Sequence, residues 1–166
     1  MSRFEVHGPF KVPFQANAGG KAITSKEAKA FWMANPAFAR SKGCYIFAIK
    51  ASKGMKPLYV GKATRTFAGE VFTPHKLAKY MTALSYSKKG TPLLFLLCHP
   101  TGKGATNKSN IDDLESFLIQ EGMRANPQLV NERKTRPDAW SIAGVLRDGR
   151  GKPSRAAQDL KRLLNR

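Results

Sequence analysis

The chain has 166 residues, of which 42% are hydrophobic and 10% aromatic, so it can bury the core of one domain without disulfides. Its 29 Lys and Arg residues against 11 Asp and Glu give a net charge of +18, which indicates a polyanionic partner such as nucleic acid. The chain has no apolar run long enough to span a membrane, and its two cysteines lack the spacing of a zinc site, so we expect a cytoplasmic protein without a membrane partner.

The first segment, residues 1–41, predicts an arm and a helix that pack on the main domain. Residues 3–15 alternate loosely around two prolines and predict an edge strand or an extended arm. Residues 25–34 have helical periodicity, Ser25 can cap that helix, and Pro36 ends it.

The central segment, residues 42–132, predicts the order hairpin, helix, strand, helix. The hairpin strands are residues 44–50 and 57–61, and a third, wholly apolar strand covers 93–98, for which we expect both faces to be covered. Thr73 and Pro74 predict a helix start, and Asn110 predicts the cap of a helix that runs to about Arg124.

The last segment, residues 133–166, predicts a basic tail that ends in an amphipathic helix at about 154–165. The tail is either an electrostatic arm on the nucleic-acid backbone or a helix whose apolar face completes the domain. The two interpretations are compatible, and the amphipathic pattern favours packing for the helix.

Two tyrosine tripeptides lie at corresponding ends of the hairpin strands: Gly43-Cys44-Tyr45 opens the first, and Tyr59-Val60-Gly61 closes the second. They are followed by a helical Leu114–Ile119 that contains Glu115 and by Pro127–Asn131, which ends in asparagine. In this order and spacing, residues 42–132 resemble the GIY-YIG nuclease family. The resemblance implies an α+β fold, an α/β sandwich with a small three-stranded antiparallel sheet flanked by helices.

The resemblance also implies an endonuclease site that uses one Mg²⁺ or Mn²⁺ ion. Glu115 would be the metal ligand, Tyr45 the base-like group, Tyr59 the supporting tyrosine and Asn131 an orienting amide, with His75 and Arg65 as cations. Contacts to nucleic acid are assigned to Lys62, Lys76, Lys79, Arg133, Lys134 and Arg136.

Glu115 also stands out from the residues alone, because its helical neighbours Ile111, Leu118 and Ile119 are apolar. A carboxylate on such a flank is costly to bury unless it is paired or metal-bound. We therefore expect the hydroxyls of Tyr45 and Tyr59 and the Glu115 carboxylate to meet on one concave, positively charged surface. At least one of three cations should enter the same cleft: Arg65, His75 or Lys76.

One position departs from the family pattern: Gly69 or Glu70 stands where the family has an arginine, and Arg65 is displaced. The main hypothesis is a divalent-metal-dependent endonuclease that favours DNA over RNA. The alternatives are a nucleic-acid-binding module of the same fold without catalysis and a basic RNA- or ribosome-associated protein. The sequence indicates no oligomeric state.

Overall fold

The computed structural model describes residues 2–52, 54–87, 89–100, 105–135, 143, 145 and 152–163. The chain divides into two compact units, Met1–Thr135 and Arg136–Arg166. In the second unit the described helix is α5 (Arg155–Leu163), within the predicted range of about 154–165. In the described part of the chain, no helix has the length and apolar character that a membrane crossing requires.

The first unit is of mixed α+β class and contains a fully antiparallel sheet of four strands. Their spatial order is β1-β6-β4-β5, from β1 (Glu5–Lys11), β4 (Gly43–Ala51), β5 (Gly54–Ala63) and β6 (Thr91–Cys98). The three predicted strands are confirmed as β4, β5 and β6. A small separate hairpin, β2 (Gln15–Asn17) and β3 (Gly20–Ala22), was not predicted.

The expected three-stranded sheet is wrong in its strand count, because β1 pairs with the outer side of β6. Val6 lies opposite Leu97 and Phe10 opposite Leu94 in this pair. Without β1, the apolar strand β6 would present a row of unpaired backbone groups at a sheet edge. The sequence of this segment allowed either an edge strand or an extended arm, and the structure shows the edge strand.

The sheet has helices on both faces, because successive side chains of a strand point in opposite directions. On one face, the core cluster that includes Tyr45 and Phe47 packs with residues of α1 (Ser25–Ala34), α2 (Phe67–Glu70) and α3 (Pro74–Ser85). On the other face, Cys44 packs with Ile111 of α4 (Lys108–Ala125).

Strand β6 is covered almost as its apolar sequence predicts. Leu94 and Leu96 are fully buried, and Leu97 is buried on the α4 face. Phe95 is only half-buried, since α4 leaves an apolar groove beside it.

Helix α1 covers the predicted residues 25–34, but its N-cap is Thr24 rather than Ser25. The Thr24 hydroxyl accepts from the Lys26 amide at 3.3 Å, and the Glu27 carboxylate accepts from the Thr24 amide at 2.9 Å. The hydrogen bond from the Thr24 hydroxyl, followed by that from Gln15, lowers the pKa of Glu27 to about 2. The reciprocal pair is a capping box.

The other two predicted helix starts differ in accuracy. Thr73 is the N-cap of α3, as predicted, with Pro74 in the first turn but no side-chain cap hydrogen bond. Helix α4 is capped by Asn107, three residues before the predicted Asn110, and the Asn107 side chain accepts from the Asn110 amide at 3.1 Å.

Replacement of Thr24 by alanine is expected to lower the free energy of unfolding by about 1 kcal/mol, because the hydrogen bonds of the Thr24 hydroxyl are lost. The measurement is urea unfolding of the full chain followed by circular dichroism. Thr73→Ala is the matched control, since it removes an N-cap threonine whose side chain makes no cap bond, and it should change stability by less than about 0.5 kcal/mol. Equal losses in both variants would contradict this assignment.

Candidate functional site

The two tyrosine tripeptides meet at one pair of the β4–β5 ladder, and their glycines mark places of close approach. Tyr45 lies opposite Gly61, where a Cβ atom would be 2.4 Å from the Tyr45 ring. Gly43 has φ +141°, and a Cβ there would be 2.0 Å from the Leu97 carbonyl oxygen. The Tyr45 ring therefore needs the bare backbone of Gly61, and the β4–β6 contact needs that of Gly43.

A cleft of about 440 Å³ lies beside strand β5, and we call it the β5 cleft. Its walls come from β5, from the first half of α3, from α4 and from the segment that follows α4. The lining residues are Tyr59, Lys62, His75, Lys76, Lys79, Glu115, Ile119, Asn131, Glu132, Arg133 and Lys134. Five of them are Lys or Arg and two are Glu, so the cleft is positively charged.

Nine of the residues that the sequence predicts for the site lie together in this cleft: Tyr59, Lys62, His75, Lys76, Lys79, Glu115, Asn131, Arg133 and Lys134. Tyr45 and Arg65 do not line it. Arg136 lies outside the described residues. Of the three cations expected to accompany Tyr59 and Glu115, His75 and Lys76 are present, at the start of α3.

Tyr59 is 6% exposed and contacts the ammonium group of Lys76. Lys76 Nζ donates to the Tyr59 hydroxyl at 2.6 Å and lies 4.9 Å from the centre of the ring. Helix α3 produces this contact, because Pro74 at its first turn places His75 and Lys76 at the helix start, beside β5. The contact joins a phenol oxygen and a cation in a positively charged cleft.

Tyr45 lies in the interior rather than at the cleft, contrary to the expected convergence. Its side chain is fully buried, and its hydroxyl makes no hydrogen bond of normal geometry. Burial, with the neighbouring Tyr80 and Tyr59 hydroxyls as further causes, raises the pKa of Tyr45 well above its usual value of 10. The reason is positional: β4 is an inner strand, and the Tyr45 ring lies across Gly61 of the next strand.

Glu115 reaches the cleft from α4 and is held by two lysines. Its side chain is 13% exposed, and its Oε2 atom lies 2.8 Å from Lys134 Nζ and 3.3 Å from Lys62 Nζ. Lys62 also pairs with Asp112, one helical turn before Glu115. Burial opposes the charge of Lys62, but the hydrogen bond to Asp112 and the Glu115 carboxylate raise the pKa of Lys62, and the same bond lowers the pKa of Asp112.

Asn131 closes the edge of β5 with its side chain. Its amide oxygen accepts from the Val60 amide at 2.9 Å, and its amide nitrogen donates to the Val60 carbonyl at 2.8 Å. The Val130 amide donates to the Leu58 carbonyl at 2.9 Å. Residues 130–131 therefore act as a partner for β5, and the orienting role of Asn131 is directed at the backbone of that strand.

Arg65 lies in the loop after β5, away from the cleft walls. Its side chain is 84% exposed and forms an ion pair with Glu70 at 3.7 Å. The loop cation is therefore used locally, beside the residue that stands near the family's arginine position. Two ion pairs of the cleft lysines were not predicted from the sequence: Asp112 with Lys62, and Glu132 with Lys79. The i,i+3 spacing of Asp112 and Glu115 on one helix could have suggested the first.

Oxygen donors for a divalent cation are few in the described part of the chain, where no group of three or more His, Cys, Asp or Glu residues is placed to hold a metal. Mg²⁺ is commonly bound through one or two carboxylates, with substrate phosphates and water completing the set. Glu115 provides such a carboxylate, and the Lys134 ammonium at 2.8 Å occupies the position of a cation on it. The donor chemistry of Glu115 thus fits one hard ion that a phosphate would help to hold.

Comparison of the chain with protein-family models, with curated proteins and with solved structures finds no match. The interpretation of the β5 cleft therefore depends on its geometry and charge.

Proposed function

We propose that the chain is an endonuclease of the GIY-YIG type that hydrolyses phosphodiester bonds of nucleic acid, with DNA as the favoured substrate. The observation that carries the proposal is the meeting of a tyrosine hydroxyl, several cations and a carboxylate in the β5 cleft. Tyr59 and Lys76 are in direct contact there, and Glu115 lines the same cleft from α4.

Binding of the substrate is assigned to the cations of the cleft. A polyanion that enters the cleft would release counterions and exchange the internal partners of the lysines for phosphate oxygens. The high net charge of +18 draws the same class of partner to the protein as a whole.

Proton transfer is assigned to Tyr59 in place of Tyr45, because Tyr59 lies in the cleft wall. In the phenolate form, whose charge the Lys76 ammonium would offset, its oxygen would take the proton of the attacking water and become the neutral phenol. Lys62 and His75 would offset charge that develops on the phosphate. Glu115 would hold one Mg²⁺ or Mn²⁺ ion, which when bound supplies Lewis-acid polarisation of the scissile phosphate.

The second candidate is a nucleic-acid-binding module of the same fold without catalysis. The ion pairs of Glu115 favour it, because a carboxylate held by two ammonium groups is already neutralised. The displaced Arg65, which pairs with Glu70, favours it as well.

The deciding experiment incubates the full chain with supercoiled plasmid in Mg²⁺ or Mn²⁺, with and without chelator, beside a structured RNA of similar length. Metal-dependent cleavage of the plasmid supports the endonuclease. Salt-dependent binding without cleavage in either metal supports the binding module, and cleavage of the RNA alone changes the substrate class.

Affinity for duplex DNA should fall steeply as salt rises, since log K decreases with the number of phosphates neutralised. Arg133→Met should lower the slope of log K against log salt by about 1, because one phosphate contact in the cleft is lost. Fluorescence anisotropy over a salt series measures the slope. The control is Lys29→Met, which removes an exposed lysine of α1 that does not line the cleft, and an equal change in both slopes would contradict the cleft as the binding surface.

A further inference from the structure

Lys134 makes an unusual contact for a residue at the end of the first unit. Its Nζ lies 2.8 Å from Glu115 Oε2 and 3.3 Å from the Asp112 carbonyl oxygen. Its φ is +61°, and among the described residues it is the only one other than glycine with a positive φ. A positive φ is uncommon in a residue with a side chain. The contacts of Lys134 therefore stabilise a backbone conformation that lysine does not readily adopt.

The other lysine on Glu115 is held differently. Lys62 belongs to β5, is paired along the ladder with Cys44 and is engaged by Asp112 as well as by Glu115. Lys134 follows Asn131, whose side chain bonds to β5, by three residues, and Glu132 between them pairs with Lys79. The backbone of Lys134 accepts a hydrogen bond from Gln120 at its carbonyl. Glu115 is the carboxylate partner of Lys134, whereas Lys62 is also engaged by the Asp112 carboxylate, so the Lys134 ammonium is the more readily displaced of the two.

We propose that Lys134 is an internal competitor for the divalent cation at Glu115, so that the metal binds more weakly while the Lys134 ammonium is held on the carboxylate. The inference rests on the proposed function, which assigns the cation to Glu115. Its physical basis is that the Lys134 ammonium lies 2.8 Å from Oε2 of a carboxylate that is 13% exposed, so a divalent ion on the same carboxylate would be repelled at close range by a positive charge that is already there. The favourable free energy of the contact between Lys134 and Glu115 therefore makes the free energy of metal binding less favourable.

The experiment measures Mn²⁺ binding to the full chain from the paramagnetic resonance signal of free Mn²⁺. Lys134→Met should lower the Kd for Mn²⁺ by about tenfold, because the competing charge is removed. Lys134→Asn should do the same, with a residue that tolerates positive φ, and Lys134→Arg should leave the Kd near that of the wild type. Glu115→Gln should remove this binding in every background.

Lys79→Met is the matched control, since Lys79 lines the same cleft but pairs with Glu132. It removes the same charge without releasing Glu115 and should change the Kd by less than about twofold. Equal effects of Lys79→Met and Lys134→Met would overturn the inference, because the gain would then be a general effect of cleft charge. An unchanged Kd in Lys134→Met, or no Mn²⁺ binding in either the wild type or Lys134→Met, would overturn it too.

The same variants in the plasmid assay keep this inference distinct from the proposed function. Metal-dependent cleavage by a wild type whose Kd does not respond to Lys134→Met would overturn the competitor and leave the endonuclease standing. Tighter Mn²⁺ binding in Lys134→Met without cleavage by any variant would support the competitor and contradict the endonuclease.

Discussion

Replacement of Glu115 by glutamine is expected to reduce the rate of plasmid cleavage by about 10³-fold or more while the domain stays folded. Glutamine keeps the size of the side chain but removes the charge that would hold a divalent cation against the scissile phosphate. Nucleic-acid binding should be retained or strengthened, because Lys62 and Lys134 lose their shared carboxylate and become available to phosphate. Cleavage rates under single-turnover conditions and anisotropy titrations measure the two effects.

Glu132→Gln is the matched control for this prediction. Glu132 is the second glutamate of the β5 cleft, but its side chain is 77% exposed and pairs with Lys79. The lysine lowers the pKa of Glu132. The control exchanges a carboxylate of the cleft for an amide of the same size, as Glu115→Gln does. Cleavage within a few-fold of the wild type is expected for Glu132→Gln, and a wild-type rate in Glu115→Gln would exclude Glu115 from catalysis.

The strands were predictable because their signals are local. The apolar runs of β4 and β6 and the turn between β4 and β5 fix three strands of the sheet. The pairing of Tyr45 with Gly61 does not follow from the turn. The register next to the turn, in which Ala48 lies opposite Pro57, would place Val60 opposite Tyr45, and a bulge between Phe47 and Ala48 shifts it by one residue. The fourth strand, β1, has a weak alternating pattern, and only the free edge of β6 decides that it pairs there.

Most residues of the site were predictable, but the sequence did not show which of the two tyrosines lines the cleft and which is buried behind it. Tyr45 and Tyr59 both belong to the core cluster on the α1–α3 face, so their sequence context does not separate them. The spatial order β6-β4-β5 does, because it places Tyr45 on an inner strand and Tyr59 on an edge strand. That order depends on long-range pairing, for which the tripeptides carry no signal.

The predicted N-caps of α1 and α4 were wrong for a related reason, and so was the expectation for the loop cation Arg65. At each place several equivalent side chains compete within a few residues. Thr24 and Ser25 are adjacent hydroxyls, and Thr24 is the cap because Glu27 is three residues beyond it. Arg65 was a reasonable candidate by its distance from Gly61, but it lies outside the β5 cleft, where it pairs with Glu70.

The two tyrosines should differ sharply when each is replaced by phenylalanine. Tyr59→Phe is expected to slow cleavage by about 10²- to 10⁴-fold, the range for loss of a positioned acid–base group. The Lys76 ammonium would lose its 2.6 Å partner in the cleft at the same time. Nucleic-acid binding should be nearly unchanged, because no positive charge is removed.

Tyr45→Phe is the control that the structure itself supplies, in a tyrosine of the same core cluster on the neighbouring strand. Its hydroxyl is buried without a hydrogen bond of normal geometry and does not line the cleft, so its loss should change the rate by less than about threefold and the stability little. The sequence alone would give Tyr45 the larger effect, so the pair of variants separates the two assignments. Single-turnover cleavage at saturating protein makes the comparison, and a loss in Tyr45→Phe that equals or exceeds that in Tyr59→Phe would return the base-like role to Tyr45.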